Sequence, residues 1–257
     1  MHKMFDLTGR TALLTGTSKG MGLAMATGLA QQGANVVISA RKMDALEAAA
    51  AQINEAVGRE AAKPLPCNIG EKDQVEALVA KAREAAGPAA IVVGNAGVNP
   101  YYGSIRDIPD EAYEKTMQAN VQSNLWLANA AATDMEALGG GAMMFTSSIG
   151  AFKPSDTLGT YAVSKLALLG LVRNLAMELG PMGIRVNAIC PGLIKTDFAR
   201  ALWDDPEKER KISAQIPLRR LGDPEDFAGI ATFLGSDAGR YVTGQALTVD
   251  GGSVMWT

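Results

Sequence analysis

The sequence predicts an α/β fold in which a doubly wound parallel sheet of about seven strands carries helices on both faces. Short apolar runs alternate with longer, alanine-rich helical patterns along the chain. The short runs are continuously apolar, as expected for strands that helices cover on both sides. A glycine-rich segment follows the first run directly, at the point where a strand would lead into a helix.

The predicted strands and helices divide the chain evenly. The strands are RTALLT, NVVIS, KPLP, AIVVG, AMMFTS, IRVNAI and ALTVD, starting at residues 10, 35, 63, 90, 142, 184 and 246. The helices cover residues 20–32, 42–57, 71–86, 110–137, 160–180 and 224–235. Because no linker or shift in composition separates these elements, residues 1–257 are expected to form a single domain.

Composition excludes several classes of function. The net charge is −3 and no basic cluster is interleaved with aromatic residues, so no nucleic-acid partner is expected. No window approaches the roughly 20 apolar residues of a membrane span, so no membrane partner is expected. Cys67 and Cys190 lie far apart and are predicted to be buried core residues, which leaves no metal site. The only histidine is His2, which excludes a Ser/His/Asp triad and most zinc sites.

The segment TGTSKGMG at residues 15–22 predicts a dinucleotide site in a Rossmann-like fold. A glycine loop between the first strand and helix lets backbone N–H groups approach a pyrophosphate, which then lies at the positive end of the helix. The spacing is GxxxGxG, and the alternative is a plain strand-to-helix turn. The loop residues predicted to bind the cofactor are Gly16, Ser18, Lys19, Gly20, Met21 and Gly22.

The end of the second strand indicates NADP(H) rather than NAD(H). An acidic residue at this place binds the ribose 2′-hydroxyl of NAD, whereas a 2′-phosphate needs a cation. This chain has Ala40 and Arg41 there, and Lys19 lies within the glycine loop. We expect Lys19 and Arg41 to converge on the phosphate, the alternative being that both are solvated surface charges.

A second group of residues carries the chemistry without histidine. Tyr161 and Lys165 are spaced i, i+4 in a helical pattern, so their side chains share one face. Ser148 follows a predicted strand at the edge where ligands bind in parallel sheets. A neighbouring ammonium favours ionisation of a phenol, so we expect Lys165 to assist Tyr161 as general acid and base. Ser148 would hold the substrate oxygen by a hydrogen bond.

With these motifs assembled, the chain resembles the short-chain dehydrogenase/reductase family over essentially its whole length. NAG at 95–97, MQANV around Asn120, PGLIKT at 191–196 and YVTGQALTVDGG carry the resemblance further. The resemblance implies that Asn120 is a fourth catalytic residue, in a water-mediated relay to the lysine. It also implies cofactor contacts from Asn68, Ile69, Asn95, Ala96, Gly97, Tyr161, Lys165, Pro191, Gly192, Ile194 and Thr196, and a homotetramer, for which the face LALLGLVRNLAM at 166–177 is a candidate.

The chain departs from the family pattern at two places. The family usually reads NNAG where this chain has Gly94 before Asn95, and it usually has an aspartate after the third strand. Here Cys67, Asn68 and Ile69 stand at that second place, so an adenine contact would come from the amide of Asn68.

Within the family, NPYYGS, SSIGAF, CPGLIKTDFARALW and RRLGDPEDFAGI look most like the NADPH-dependent carbonyl and retinal reductase branch. Animal members of that branch are peroxisomal and end in a Ser-Arg-Leu type address. This chain ends in VMWT, and we expect a cytoplasmic protein.

The predicted substrate is a lipophilic or ring-bearing ketone or aldehyde, because aromatic and aliphatic side chains follow the catalytic strands. The predicted substrate residues are Ser148, Tyr101, Tyr102, Phe152, Leu158, Leu193, Phe198 and Trp203, with a lid over about 195–216 that also includes Leu202. Three hypotheses remain open. They are a reversible carbonyl reductase, a 3-oxoacyl-thioester reductase in which Arg219 and Arg220 meet phosphates, and a noncatalytic NADP(H)-binding regulator.

Overall fold

Seven parallel strands form one sheet in the protein. The structure is a computed structural model that describes residues 3–197 and 203–255. The strands are β1 Thr11–Thr15, β2 Asn35–Ser39, β3 Ala62–Pro64, β4 Ala89–Gly94, β5 Gly141–Thr146, β6 Ile184–Pro191 and β7 Ala246–Val249. Their order across the sheet is β3-β2-β1-β4-β5-β6-β7, which confirms the predicted doubly wound α/β fold.

Helices connect consecutive strands and cover the sheet. They are α1 Gly20–Gln31, α2 Met43–Val57, α3 Lys72–Ala86, α4 Asp110–Met117, α5 Ser123–Ala137, α6 Gly159–Leu179, α7 Pro206–Ser213 and α8 Ala228–Gly235. Among the described residues, no helix has the length and apolarity that crossing a bilayer requires.

The structure corrects two of the predicted helices and adds a third helix. The helix expected over 110–137 is divided by a π-turn, Gln118–Gln122, and the one expected over 224–235 begins with a 3-10 turn, Pro224–Phe227. Helix α7 was not predicted. It begins because the Asp205 side chain accepts hydrogen bonds from the N–H groups of Glu207 and Lys208, and Pro206 occupies the first turn.

The core has two layers, one on each face of the sheet. Because side chains alternate along a strand, Leu13 and Val92 point to one face and Leu14 and Val93 to the other. Helices α3, α5 and α6 supply the first layer, and α1, α2 and α8 supply the second. Cys67 and Cys190 are both buried free thiols, as predicted.

The strand order fixes where a ligand can bind. Strand β1 pairs with β2 on one side and with β4 on the other, so the connections after β1 and β4 leave in opposite directions. Between two such strands a crevice opens at the carboxyl edge of the sheet. The glycine loop, NAG and the segment after β5 all lie at this edge.

We expect Phe145→Ala to lower the free energy of unfolding by about 3–5 kcal/mol, because the ring is fully buried in the first core layer and its loss leaves a cavity. Leu138→Ala is the control, since Leu138 is 48% exposed at the end of α5, and a change within about 0.5 kcal/mol is expected. Urea denaturation of both variants measures the difference, and equal losses would contradict the described core.

Candidate active site

At two of its glycines, Gly16 and Gly22, the glycine loop is packed too tightly for a side chain. Gly16 has a φ of +69°, and a Cβ there would lie 2.8 Å from the backbone of Ala96. A Cβ on Gly22 would lie 2.2 Å from the carbonyl oxygen of Gly16. Helix α1 begins at Gly20. The side chain of its N-cap residue, Lys19, makes no capping hydrogen bond, so the first backbone N–H groups of the helix are left for a ligand in the crevice. The loop therefore fits a dinucleotide pyrophosphate.

Asn95, which follows β4, connects the glycine loop to the end of β5. Its side-chain N–H donates to the carbonyl of Gly16 at 2.9 Å, and its side-chain oxygen accepts from the Thr146 hydroxyl at 3.1 Å. The backbone N–H groups of Asn95 and Ala96 both donate to the Thr15 hydroxyl at 3.2 Å. The NAG motif thus joins β1, β4 and β5 at the crevice.

The segment after β6 forms the opposite side of the crevice. Strand β6 ends at Pro191, and the N–H of Gly192 donates to the carbonyl of Val249 at 3.0 Å. Ile194 pairs with Gly222 in a parallel bridge. The methyl group of Thr196 lies 3.4 Å from the position of a Cβ on Gly20, which places this segment against the glycine loop.

Of the two cations expected to bind the 2′-phosphate, Lys19 and Arg41, one has a protein partner. Lys19 Nζ lies 2.5 Å from a carboxylate oxygen of Asp197, and both side chains are largely exposed. The Lys19 ammonium is therefore paired with a carboxylate in the protein alone, and the convergence of Lys19 and Arg41 on a phosphate stays a prediction. Arg41 is exposed directly after β2. The Asn68 side-chain oxygen accepts from the N–H of Gly70 at 3.2 Å, and Ile69 packs against the first core layer.

Ser148, Tyr161 and Lys165 meet at the carboxyl edge of β5. Ser148 precedes a 3-10 turn, Ile149–Ala151, and its hydroxyl accepts from the N–H of Gly150 at 3.0 Å. Tyr161 lies in the first turn of α6, and its phenol is hydrogen-bonded to Ser148. Lys165 Nζ lies 5.4 Å from the centre of the tyrosine ring and donates to the carbonyl of Thr146 at 2.8 Å.

Burial dominates the acid-base properties of the pair. It raises the pKa of Tyr161 to about 12, against the lowering effect of the hydrogen bond to Ser148. It lowers the pKa of Lys165 to about 8. The expected lowering of the tyrosine pKa is thus absent in the protein alone, because desolvation of the phenolate outweighs the other influences. At neutral pH Tyr161 is a protonated phenol, the form that donates a proton.

Asn120 is buried inside the π-turn beside this pair. Its side-chain oxygen accepts from the N–H of Val98 at 2.8 Å, and its amide donates to the carbonyl of Val98 and to the hydroxyl of Ser164, both at 3.0 Å. A Cβ on Gly97 would lie 3.1 Å from the Asn120 side-chain oxygen and 3.4 Å from Lys165 Nζ. The Asn120 amide and the lysine therefore border one small space.

The sequence did not indicate Cys190 as part of this site. The thiol is fully buried beside the side chain of Ser147 and the backbone of Ser148. Burial nevertheless raises its pKa to about 11. Its position near the carboxyl end of β6 could have indicated that it lies at the site, because ligands bind at the carboxyl ends of the strands in a parallel sheet.

The predicted substrate residues have different degrees of exposure. Tyr102 is 72% exposed, while Tyr101 and Leu193 are half-buried. The N–H of Gly103 donates to the carbonyl of Thr157 at 2.9 Å, which joins the loop after β4 to the loop before α6. Leu158 pairs with Gly103, Phe152 packs against the core, and the indole N–H of Trp203 donates to the carbonyl of Thr196 at 3.0 Å. Phe198 and Leu202 lie outside the described residues.

The arrangement suits proton transfer at the oxygen of a carbonyl or alcohol group whose carbon exchanges hydride. A nicotinamide cofactor supplies or takes up that hydride when it is bound. The residues that would hold it are the glycine loop, NAG and residues 191–196. Tyr161 can give a proton to a carbonyl oxygen or take one from an alcohol, and Ser148 can hold the same oxygen.

Comparisons with known proteins identify the family. A family model described as enoyl-(acyl carrier protein) reductase matches residues 16–254. Human dehydrogenase/reductase SDR family member 4 is 44% identical over 253 residues, which cover 98% of this chain and 90% of that protein.

Two solved structures extend the agreement to the fold. A 7α-hydroxysteroid dehydrogenase, complexed with NADH and 7-oxo glycochenodeoxycholic acid, has a TM-score of 0.93 and 36% identity over 100% of this chain and 98% of its own. A gluconate 5-dehydrogenase from Burkholderia cenocepacia, in complex with NADP and tartrate, has a TM-score of 0.91 and 31% identity over 98% and 97% of the two chains. With sequence, fold and predicted motifs in agreement, the chain belongs to the short-chain dehydrogenase/reductase family of oxidoreductases.

Proposed function

We propose that the protein is an NADPH-dependent carbonyl reductase, reversible as an alcohol dehydrogenase, that acts on lipophilic or ring-bearing ketones and aldehydes. The observation that carries the proposal is the group at the crevice edge in which the Tyr161 phenol is hydrogen-bonded to Ser148 and Lys165 Nζ lies 5.4 Å from the centre of the tyrosine ring. A noncatalytic NADP(H)-binding regulator would have no need of this buried group. The 44% identity to human dehydrogenase/reductase SDR family member 4 supports the assignment to the reductase branch.

The proposed direction at neutral pH is reduction. Tyr161 holds its proton because burial raises its pKa to about 12, so the phenol gives that proton to the carbonyl oxygen as the alcohol forms. Ser148 donates a hydrogen bond to the same oxygen. Lys165, with its pKa lowered to about 8, keeps its positive charge below that pH and loses it above. The proposed relay returns a proton to Tyr161 through Lys165 and Asn120.

The proposed cofactor is NADP(H). Ala40 leaves the end of β2 without a carboxylate, and the exposed cation of Arg41 follows it. Lys19 would exchange the Asp197 carboxylate for the 2′-phosphate, since both partners of that ion pair are largely solvent-exposed and the pair is weakly held. The complex of the similar gluconate 5-dehydrogenase with NADP supports this choice.

The proposed substrate lid covers about residues 195–216. The start of this segment is held to the chain that follows it, because the N–H of Lys195 donates to the carbonyl of Gly222 at 2.9 Å and the N–H of Gly222 donates to the carbonyl of Leu193 at 3.0 Å. Lys195 also pairs with Glu209 of α7 at 2.7 Å. The steroid bound to the similar 7α-hydroxysteroid dehydrogenase supports a ring-bearing substrate under such a lid.

A second candidate function is reduction of a 3-oxoacyl thioester. The description of the matched family model, which names an acyl-carrier-protein substrate, supports this candidate. The arginines invoked for it have other partners, however. Arg220 makes two hydrogen bonds to the carboxylate of Asp226, at 2.6 and 2.8 Å, and the guanidinium of Arg219 donates to the carbonyl of Ala214. We therefore rank it second.

We also infer that the chain is one domain over residues 1–257 that assembles as a homotetramer in the cytoplasm. For the assembly, part of the predicted face at 166–177 is core, since Leu168, Leu169 and Val172 are buried. An apolar stripe on α6 is nevertheless exposed, with Val163 at 43%, Leu166 at 54% and Met177 at 80%. The neighbouring groove between α4, α5 and α6 is lined by Tyr113, Met117, Val121, Leu125 and Leu171.

Tyr161→Phe tests the chemistry, and its matched control is Tyr241→Phe, because Tyr241 is fully exposed. Oxidation of NADPH is followed with an α-dicarbonyl, an aromatic ketone, a retinal-like aldehyde, a steroid ketone and a 3-oxoacyl thioester. We expect turnover of a ketone or aldehyde, a loss of about 10²–10⁴-fold in kcat for Tyr161→Phe, and no loss for Tyr241→Phe. Turnover of the thioester alone would favour the second candidate, and an active Tyr161→Phe would contradict the mechanism.

Arg41→Asp tests the cofactor assignment. The substitution replaces the proposed phosphate ligand with a carboxylate, so the ratio of kcat/KM for NADPH over NADH should fall by about 10-fold or more. Lys81→Asp on α3 changes the net charge equally at an exposed position away from the crevice, and it should leave the ratio unchanged. If the ratio is the same in both variants, Arg41 does not bind the phosphate.

Leu166→Glu tests the assembly. A charge on the exposed stripe of α6 should dissociate the tetramer, because a buried carboxylate without a partner opposes association. Light scattering at micromolar concentration measures the mass, with Leu138→Glu as an equally exposed control. A monomeric wild-type protein would contradict the inferred tetramer.

A further inference from the structure

Gly94 has a steric role that its backbone conformation does not explain. It ends β4 next to the NAG motif, and its φ is not positive, so its backbone conformation does not require glycine. A Cβ at this position would lie 2.1 Å from the side-chain oxygen of Asn124 and 2.5 Å from the ring of Phe145. The absent side chain of Gly94 therefore makes room for the amide of Asn124.

Asn124 uses that room to reach the π-turn. It is 4% exposed near the start of α5, and its side-chain N–H donates to the backbone carbonyl of Asn120 at 2.9 Å. The π-turn is wider than an α-helical turn, as the bond from the N–H of Ser123 to the carbonyl of Gln118 demonstrates. Such turns are rare, and this buried bond ties the carbonyl of Asn120, which lies within the turn, to the side chain of Asn124 in α5.

Asn120, which Asn124 holds in this way, lies beside Lys165. The Asn120 side chain bonds both backbone groups of Val98 and the hydroxyl of Ser164. The Ser164 hydroxyl in turn donates to the carbonyl of Tyr161 at 2.7 Å. A continuous set of hydrogen bonds thus runs from Asn124 through Asn120 to the first turn of α6.

We propose that Asn124, accommodated by Gly94, is a positioning residue that fixes the Asn120 amide beside Lys165. Asn124 touches Asn120 and the space left by Gly94, and it acts on the reaction through Asn120. The proposal rests on the proposed function in so far as it assigns catalysis to Asn120 and Lys165.

The test compares Asn124→Ala, the volume-retaining Asn124→Leu, Asn120→Ala and the double variant Asn120→Ala/Asn124→Ala. Asn174→Ala is the matched control, because Asn174 makes the same type of bond to a carbonyl four residues earlier, Gly170, at 2.9 Å, but on the exposed side of α6. Three quantities are measured: kcat, NADPH affinity by fluorescence, and hydrogen exchange of the Val98 amide, whose bond to Asn120 is 2.8 Å long.

We expect both Asn124 variants to lose about 10–100-fold in kcat with NADPH affinity unchanged, since a small displacement of a positioning group costs rate rather than cofactor binding. The Val98 amide should exchange faster in both, and the double variant should lose no more than Asn120→Ala alone. Asn174→Ala should change none of these quantities.

Wild-type kcat in the Asn124 variants, unchanged exchange at Val98, or an equal loss in Asn174→Ala would each overturn the proposal. The exchange measurement needs no substrate. If the wild-type protein turned over none of the carbonyl compounds, the proposed function would fail, and exchange at Val98 would still decide whether Asn124 holds Asn120.

Discussion

The contact between the glycine loop and Asn95 is the constraint on which the site depends. A Cβ on Gly22 would approach the Asn95 side-chain nitrogen to 2.6 Å, and one on Gly16 would approach it to 3.0 Å. Asn95 in turn bonds Thr146 at the end of β5, the strand that leads to Ser148. The glycine loop and the edge of the sheet that carries Ser148 are therefore parts of one hydrogen-bonded unit.

Burial governs the protonation of Tyr161 and Lys165. Desolvation moves their pKa values in opposite directions, because the charged form is the phenolate in one case and the ammonium in the other. Tyr161 becomes a firmly protonated donor, while Lys165 is brought close to physiological pH. A lysine in that range can exchange protons with water, which a lysine with its ordinary pKa does reluctantly. The pair can in this way do the work of one imidazole.

Some features of the fold could be predicted from the sequence because local patterns determine them. Short apolar runs marked six of the seven strands closely, whereas the third, predicted from KPLP at 63–66, is the shorter Ala62–Pro64, and the position of TGTSKGMG marked the crevice. The π-turn could not be predicted, since QANVQ has ordinary helical composition and the turn is held by Asn124. The Lys19–Asp197 pair joins residues far apart in the chain, and the raised pKa of Tyr161 depends on tertiary burial. Helix α7 carried a usable start signal in Asp205 and Pro206, but its charged composition offered no apolar face.

The two buried thiols, Cys67 and Cys190, can report local unfolding of the protein through the rate at which each is alkylated. Cys67 and Cys190 are the only cysteines in the chain, and burial raises the pKa of each to about 11. The thiolate is the reactive form, so alkylating reagents should attack these positions only when the surrounding structure opens. Cys190 lies near the carboxyl end of β6 and Cys67 follows β3, so the two thiols are on opposite sides of the centre of the sheet. Their separate alkylation rates would therefore distinguish opening around β6 from opening around β3.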